Sequence, residues 1–153
     1  GSRSNTVSMA CKQVELMIEA GASFIDVGGY STRPGAAEIS AETEIERTIP
    51  VIREIERRFE IPVSIDTFRY TVAKQALDAG ATSILLDNFS TGMMREAVSI
   101  NAGRALLEAS GGVRLETVRA IAETGVDRIS IGKLTKDVKA VDFSLRVLER
   151  IGG

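Results

Sequence analysis

The sequence predicts an α/β protein built on a parallel sheet, and three observations lead there. One phrase, a helix end, a glycine and an apolar strand, is written three times: Glu19-Ala20-Gly21-Ala22 before Phe24-Ile25-Asp26-Val27, Asp78-Ala79-Gly80-Ala81 before Ile84-Leu85-Leu86-Asp87, and Glu123-Thr124-Gly125-Val126 before Ile129-Ser130-Ile131-Gly132. Helical and strand-like segments alternate along the whole chain, helix first, giving five strands and about six helices. Each strand is tipped with small or polar residues, which puts any chemistry at the strand C-terminal ends.

Residues 6–20 read as a helix, with Val7, Ala10, Val14, Met17 and Ile18 at helical spacing, Asn5 as a cap and Gly21 just past its end. Phe24 to Val27 is the first strand, and residues 28–35, with three glycines and a proline, form a loop. Ser40 is placed to cap a helix over Ala41 to Phe59, with Glu42 and Glu44 at its positive start and Ile45, Ile49, Ile52 and Ile55 as its buried stripe. Pro50 lies inside that pattern and predicts a kink. Val63 to Ile65 is the second strand, tipped by Asp66-Thr67, and Tyr70 to Ala79 the next helix. Ile84 to Leu86, tipped by Asp87-Asn88-Phe89-Ser90, precedes a helix over Met93 to Ser99. Arg104 to Leu107 ends in Glu108-Ala109-Ser110-Gly111-Gly112, and Leu115 to Glu123 is helical. Arg128 to Ile131 ends in Gly132-Lys133-Leu134-Thr135, and Ser144 to Arg150 reads as a last helix with Asp142 near its start.

Two architectures fit this order. One is a partial barrel, a (βα)5-type sheet equivalent to a fragment of the eight-stranded TIM barrel. The other is a flavodoxin-like doubly wound sheet. Five barrel strands leave free edges and an unfilled interior, a liability that a homodimer would relieve. At 153 residues the chain is expected to form a single domain. Its 44% hydrophobic and 26% charged residues and its net charge of −2 suit a soluble protein and give no case for nucleic-acid or membrane partners. One cysteine and no histidine argue against a disulfide framework and a zinc cluster, and a cytoplasmic location is the default. Cys11 reads as a small buried hydrophobe, and Gly1-Ser2 as the remnant of an affinity tag.

The strand tips carry the chemistry. Asp26, Asp66 and Asp87 stand at three tips in what reads as one register, with Glu108 on a fourth. Carboxylates at one mouth can hold Mg²⁺, accept hydrogen bonds from an amino-heterocycle, or balance a cationic intermediate; Asp66, Asp87 and Glu108 are the catalytic candidates. Each acid could instead cap the helix that follows it. Ser110, Gly111, Gly112 and Gly132 are small residues after adjacent strands and can offer backbone N–H groups to phosphate or sulfate, with Lys133 adding charge. The competing account is two ordinary turns and a solvated lysine. Arg33, in a glycine-flanked loop, is a further anion ligand candidate.

The first half resembles dihydropteroate synthase. The stretch Met17-Ile18-Glu19-Ala20-Gly21-Ala22 with Ile25-Asp26-Val27-Gly28-Gly29-Tyr30-Ser31-Thr32-Arg33-Pro34-Gly35 is similar to that family's second-strand signature, and Ile61-Pro62-Val63-Ser64-Ile65-Asp66-Thr67 to its third strand. The match covers about residues 4–80. The resemblance implies a barrel that joins a pterin pyrophosphate to p-aminobenzoate, with Thr32 and Arg33 in a substrate loop and Asp66 on the pterin side. The family's first strand would lie before Gly1, and its Ser-Arg-Lys lysine and closing Arg-x-His stretch have no counterpart, so an incomplete catalytic site is expected.

From about Leu77 to Arg146 the chain instead resembles quinolinate phosphoribosyltransferase, the carboxylating nicotinate-nucleotide pyrophosphorylase. The resemblance rests on Ile84-Leu85-Leu86-Asp87-Asn88-Phe89, Leu107-Glu108-Ala109-Ser110-Gly111-Gly112, Ile129-Ser130-Ile131-Gly132-Lys133-Leu134-Thr135 and Asp142-Phe143-Ser144-Leu145. It implies phosphate binding by the Ser-Gly-Gly and Gly-x-Leu-Thr loops and a ribose-side and metal-side role for Asp87. The two resemblances meet near residues 75–82. The expectation is therefore an engineered chimera of barrel fragments that needs no cofactor and retains a weak phosphate site; the alternative is a transferase of either parental type.

Overall fold

The computed structural model describes residues 2–30, 35 and 37–146. Its elements run α1 (Ser2–Glu19), β1 (Ile25–Gly28), α2 (Ala41–Arg58), β2 (Val63–Thr67), α3 (Tyr70–Asp78), β3 (Ser83–Asp87), α4 (Thr91–Asn101), β4 (Leu106–Ser110), α5 (Leu115–Ala122), β5 (Arg128–Ile129) and α6 (Lys133–Lys136). All strand pairs are parallel, and the sheet order is β1-β2-β3-β4-β5. That is barrel order. A flavodoxin-like sheet would place its first strand between its second and third, so that alternative is excluded.

The repeated phrase has a common geometry. Gly21, Gly80 and Gly125 have φ of +93°, +102° and +91°, a region in which a Cβ would be strained. After α3, the N–H groups of Gly80 and Ala81 donate to the carbonyls of Leu77 and Ala76 at 3.2 and 3.0 Å, closing the last turn before β3 begins. α2 starts at Ser40, whose hydroxyl accepts from the Thr43 N–H at 3.2 Å, and it continues as one helix through Pro50.

The two faces of the sheet differ. Ile25, Val63, Ile65, Ile84, Leu86, Leu107 and Ala109 alternate along the strands and are buried with Ile49, Ile52 and Ile55 of α2, Val72 and Ala76 of α3, and Met94 of α4. The residues between them, Asp26, Ser64, Asp66, Ser83, Leu85, Leu106, Glu108 and Arg128, line an open concave face. In a closed barrel that face would be the packed interior. Here it is accessible, with Phe24 60% and Leu106 42% exposed.

Four expectations at element level change. β4 starts at Leu106, not Arg104, because the Asn101 side chain captures Ala105 in both directions, donating to its carbonyl at 2.7 Å and accepting from its N–H at 3.0 Å. The strand also runs on to Ser110, so Glu108 lies inside it. β5 is only two residues long, and the short helix α6 follows Gly132. Residues 144–146 are not helical; Val141, Phe143 and Leu145 are exposed, and the rest of that expected helix lies outside the described residues. No helix among the described residues is long and apolar enough to cross a membrane.

Candidate functional site

Strand register fixes how the acids relate. Asp26 pairs with Ser64, Asp66 with Leu85, Leu85 with Glu108, and Glu108 with Arg128. Asp66, Leu85, Glu108 and Arg128 therefore form one layer across four strands. Asp26 lies one layer deeper, beside Ser64, and Asp87, opposite Ser110, one layer higher. The single register expected for Asp26, Asp66 and Asp87 is corrected to a staircase, because each strand is offset by two residues from its neighbour. Among the described residues, no three His, Cys, Asp or Glu side chains are grouped as a metal site would need them.

None of these acids caps a helix. Ser90 caps α4, its hydroxyl accepting from the Met93 N–H at 3.3 Å, and α3 begins after Arg69 without a side-chain cap. Asp26 accepts from the Ser64 hydroxyl, Glu108 from the Ser130 hydroxyl, and Asp87 from the Asn88 amide at 2.9 Å. Asp66 differs: it has no hydrogen bond or ion pair with any described residue. Partial burial pushes its carboxyl above the ordinary aspartate value, and the negative charges of Asp87, Asp26 and Glu44 add to that. An unpartnered carboxylate on an accessible wall, its pKa raised by burial and by neighbouring acids, has its acceptor capacity free for hydrogen-bond donors. The cavity it faces, about 700 Å³, is floored by Phe24, Leu85 and Leu106 and has Arg128 as its cation.

A second cleft lies at the C-terminal ends of β4 and β5. Ser110, Gly111, Gly112, Ser130, Gly132 and Lys133 line it together, with Arg114 and Lys136, which the sequence reading missed. The N–H groups of Gly111, Gly112 and Val113 donate to no acceptor among the described residues, and α5 starts immediately beyond. Gly111 has φ +89° and Gly112 +60°. The Lys133 ammonium is 3.8 Å from the Asp137 carboxylate, so part of its charge is already answered. The cleft thus combines free backbone donors with three cations, the chemistry of an oxyanion site. Basic residues within three or four positions of each glycine loop were the signal for Arg114 and Lys136. Thr32 and Arg33 lie outside the described residues.

The other feature missed at sequence level is Glu44. It is fully buried, its Oε1 accepting from the Thr67 hydroxyl at 2.9 Å and its Oε2 from the Arg69 guanidinium. Its position two residues after Glu42 made it look like an ordinary helix-start acid.

The fold is part of a (β/α) barrel, with two clefts on or beside its sheet and an acidic inner wall. The family described as pterin binding enzyme matches residues 1–102, and the chain belongs to that family. Over 84 residues, 55% of this chain, it is 51% identical to dihydropteroate synthase of Clostridium beijerinckii, of which the match covers 31%. The solved 7,8-dihydropteroate synthase of Vibrio fischeri ES114 superposes with a TM-score of 0.63 at 30% identity, covering 78% of this chain and 52% of that one. The nicotinate-nucleotide pyrophosphorylase of Francisella tularensis superposes with a TM-score of 0.58 at 26% identity, covering 92% of this chain and 59% of that one. The chain spans about a third of its curated synthase relative and about half of these solved structures.

Proposed function

We propose that the chain is a ligand-binding part of a transferase barrel of the dihydropteroate synthase type, which takes an amino-heterocycle such as a pterin on its acidic concave face. The observation that carries this reading is Asp66. It lies within the stretch shared with the synthases, on the open wall, and it is the one acid of the staircase whose hydrogen-bonding capacity is unspent. A pterin presents adjacent N–H donors, which a carboxylate answers with two parallel bonds. Asp66, Asp87 and Glu108 are the groups available to hold charge or protons there, and Arg128 the cation in their layer. The test is titration with pteroic acid, followed by backbone amide shifts. Movement at Asp66, Leu85 and Glu108, lost in Asp66→Asn, supports the reading; no movement there at millimolar ligand overturns it.

A second reading is an engineered recombination of two barrel halves, with a seam near residues 75–82. It is favoured by the curated match ending after 84 residues while the pyrophosphorylase fold follows 92% of the chain. On this reading catalysis is incomplete, no cofactor is required, and the Ser110–Gly132 cleft binds phosphate, sulfate or a sugar phosphate at roughly −4 to −6 kcal/mol. Phosphate titration read at the amides of Gly111, Gly112 and Gly132 tests it, and their silence at tens of millimolar would reject the cleft as an anion site. Both readings expect a cytoplasmic protein, in keeping with its one unpaired, buried cysteine. The second reading also expects a homodimer, since β1 and β5 are the outer strands of the sheet among the described residues; sedimentation mass decides that point.

A further inference from the structure

We propose that Arg69 is a positioning residue that fastens Tyr30 and Ile39 to the Thr67–Arg69 corner, and so holds in place the strand end that carries Asp66 on the concave face. This rests on the pterin-type reading of that face.

Arg69 lies three residues beyond Asp66 and uses both terminal nitrogens and the face of its guanidinium. Nη1 meets Glu44 Oε2 in α2, and Nη2 donates to the Ile39 carbonyl at 2.6 Å, on the α2 side of the connection. Its plane lies 5.4 Å from the ring centre of Tyr30, on the β1 side of the same connection, and 4.5 Å from that of Phe68. The two rings meet edge-on, with centroids 5.1 Å apart and planes at 79°. Below them, Thr67 Oγ1 accepts from the Arg69 N–H at 3.1 Å and donates to Glu44 Oε1 at 2.9 Å. Both oxygens of the buried Glu44 are therefore answered from the Thr67–Arg69 corner.

This is more than an ion pair for core stability. A buried pair requires only that each charge find its partner. Here the arginine also takes a carbonyl at one end of an eight-residue interval and an aromatic ring at the other, Ile39 and Tyr30. Lysine can keep the contact with Glu44, but a single ammonium cannot also bond Ile39 and stack between two rings. Arg69→Lys therefore separates the charge role from the fastening role.

The experiment compares wild type, Arg69→Lys and Arg69→Met by amide hydrogen exchange and by pteroic acid and phosphate titration. Thr43 and Glu44 report on the Ile39 flank, because their N–H groups are bonded to Ser40. In Arg69→Lys we expect a cooperative melt, roughly tenfold faster exchange at Thr43 and Glu44 with α5 unchanged, and about tenfold weaker pteroic acid binding. Phosphate shifts at Gly111 and Gly112 should stay as in wild type. A merely structural loss would speed exchange in α5 as well and weaken both ligands together, which overturns the proposal. Wild-type exchange rates and affinities in a folded Arg69→Lys overturn it too, and that variant decides the matter if Arg69→Met does not fold. If wild type binds no pteroic acid while exchange at Thr43 and Glu44 responds as expected, the fastening stands and the pterin reading falls.

Discussion

Gly111 lies directly against Asn88: a Cβ built on Gly111 would sit 2.2 Å from Asn88 Oδ1 and 2.7 Å from its backbone nitrogen. The contact joins the tips of β3 and β4, where the Asn88 N–H also donates to the Ser110 carbonyl at 2.9 Å. The turn that presents the Gly111 and Gly112 N–H groups to the cleft beside β4 and β5 is thus held in place from the neighbouring strand.

Gly111→Ala should therefore destabilise the protein by more than about 1 kcal/mol, since alanine is unsuited both to φ +89° and to the close approach. Any phosphate response of that cleft should be lost with it. Adding Asn88→Gly removes the side-chain clash but leaves the backbone nitrogen in place, so the double variant should recover only a minor share. Urea melts of the three proteins check this, and full recovery in the double variant would contradict it.

Asp66→Asn should stabilise the protein at neutral pH. The Asp66 pKa is raised in the folded state by burial and by neighbouring acids. The folded state therefore holds its proton more tightly than the unfolded chain does, and the stability this proton contributes is complete below the unfolded value near 3.8 and lost as pH rises through the raised folded value. Asparagine removes the charged form altogether. Melts at pH 3 and pH 7 should show the variant close to wild type in acid and more stable at neutrality. A pH-independent difference would mean that Asp66 is not electrostatically strained.

The Ser40 cap is a local test of the same kind. Ser40→Ala removes the acceptor for the Thr43 N–H and should cost about 1 kcal/mol. It also takes away one of the hydrogen bonds that hold the Glu42 carboxyl below its ordinary value, the larger one coming from Glu42's own backbone. Thermal melts read the first effect and carboxyl titration by NMR the second.

Local chemistry carried most of the fold. The left-handed glycines at 21, 80 and 125 punctuate helix and strand just before β1, β3 and β5, and β1, β2 and β3 are legible to within two residues at either end. Ser40 is equally local. What escaped depends on partners distant in sequence. Glu44 looks like any acid at a helix start until Arg69, 25 positions later, folds back onto it. The start of β4 turns on one side chain, Asn101, competing for Ala105. The stagger of Asp26, Asp66 and Asp87 is set by inter-strand register, which no single strand records. At residues 141–146 the apolar and polar residues alternate strictly, yet Asp142 and the run towards Arg150 read as a helix; among the described residues the segment forms neither helix nor strand.

The two faces of the sheet give the sharpest prediction. Ile65 and Leu85 are aliphatic residues of similar size on neighbouring strands, but Ile65 is 0% exposed beneath the helices and Leu85 lines the open wall. Ile65→Ala removes packing on all sides and should cost about 2–5 kcal/mol. In a monomer Leu85→Ala gives up only partial burial, and should cost under about 1 kcal/mol. If two copies meet through their concave faces, Leu85 joins a core and its truncation should approach the cost of Ile65→Ala, with a dependence on protein concentration. Such a dimer would also bring Asp26, Asp66 and Glu108 of one copy towards the same acids of the other, with Arg128 as the cation in their midst. Like charges repel across an interface, so that dimer should strengthen in acid and in high salt. Urea melts of both variants at two protein concentrations, repeated at pH 4.5 and pH 7.5, separate the cases. A small, concentration-independent cost for Leu85→Ala means that the wall stays open to ligand.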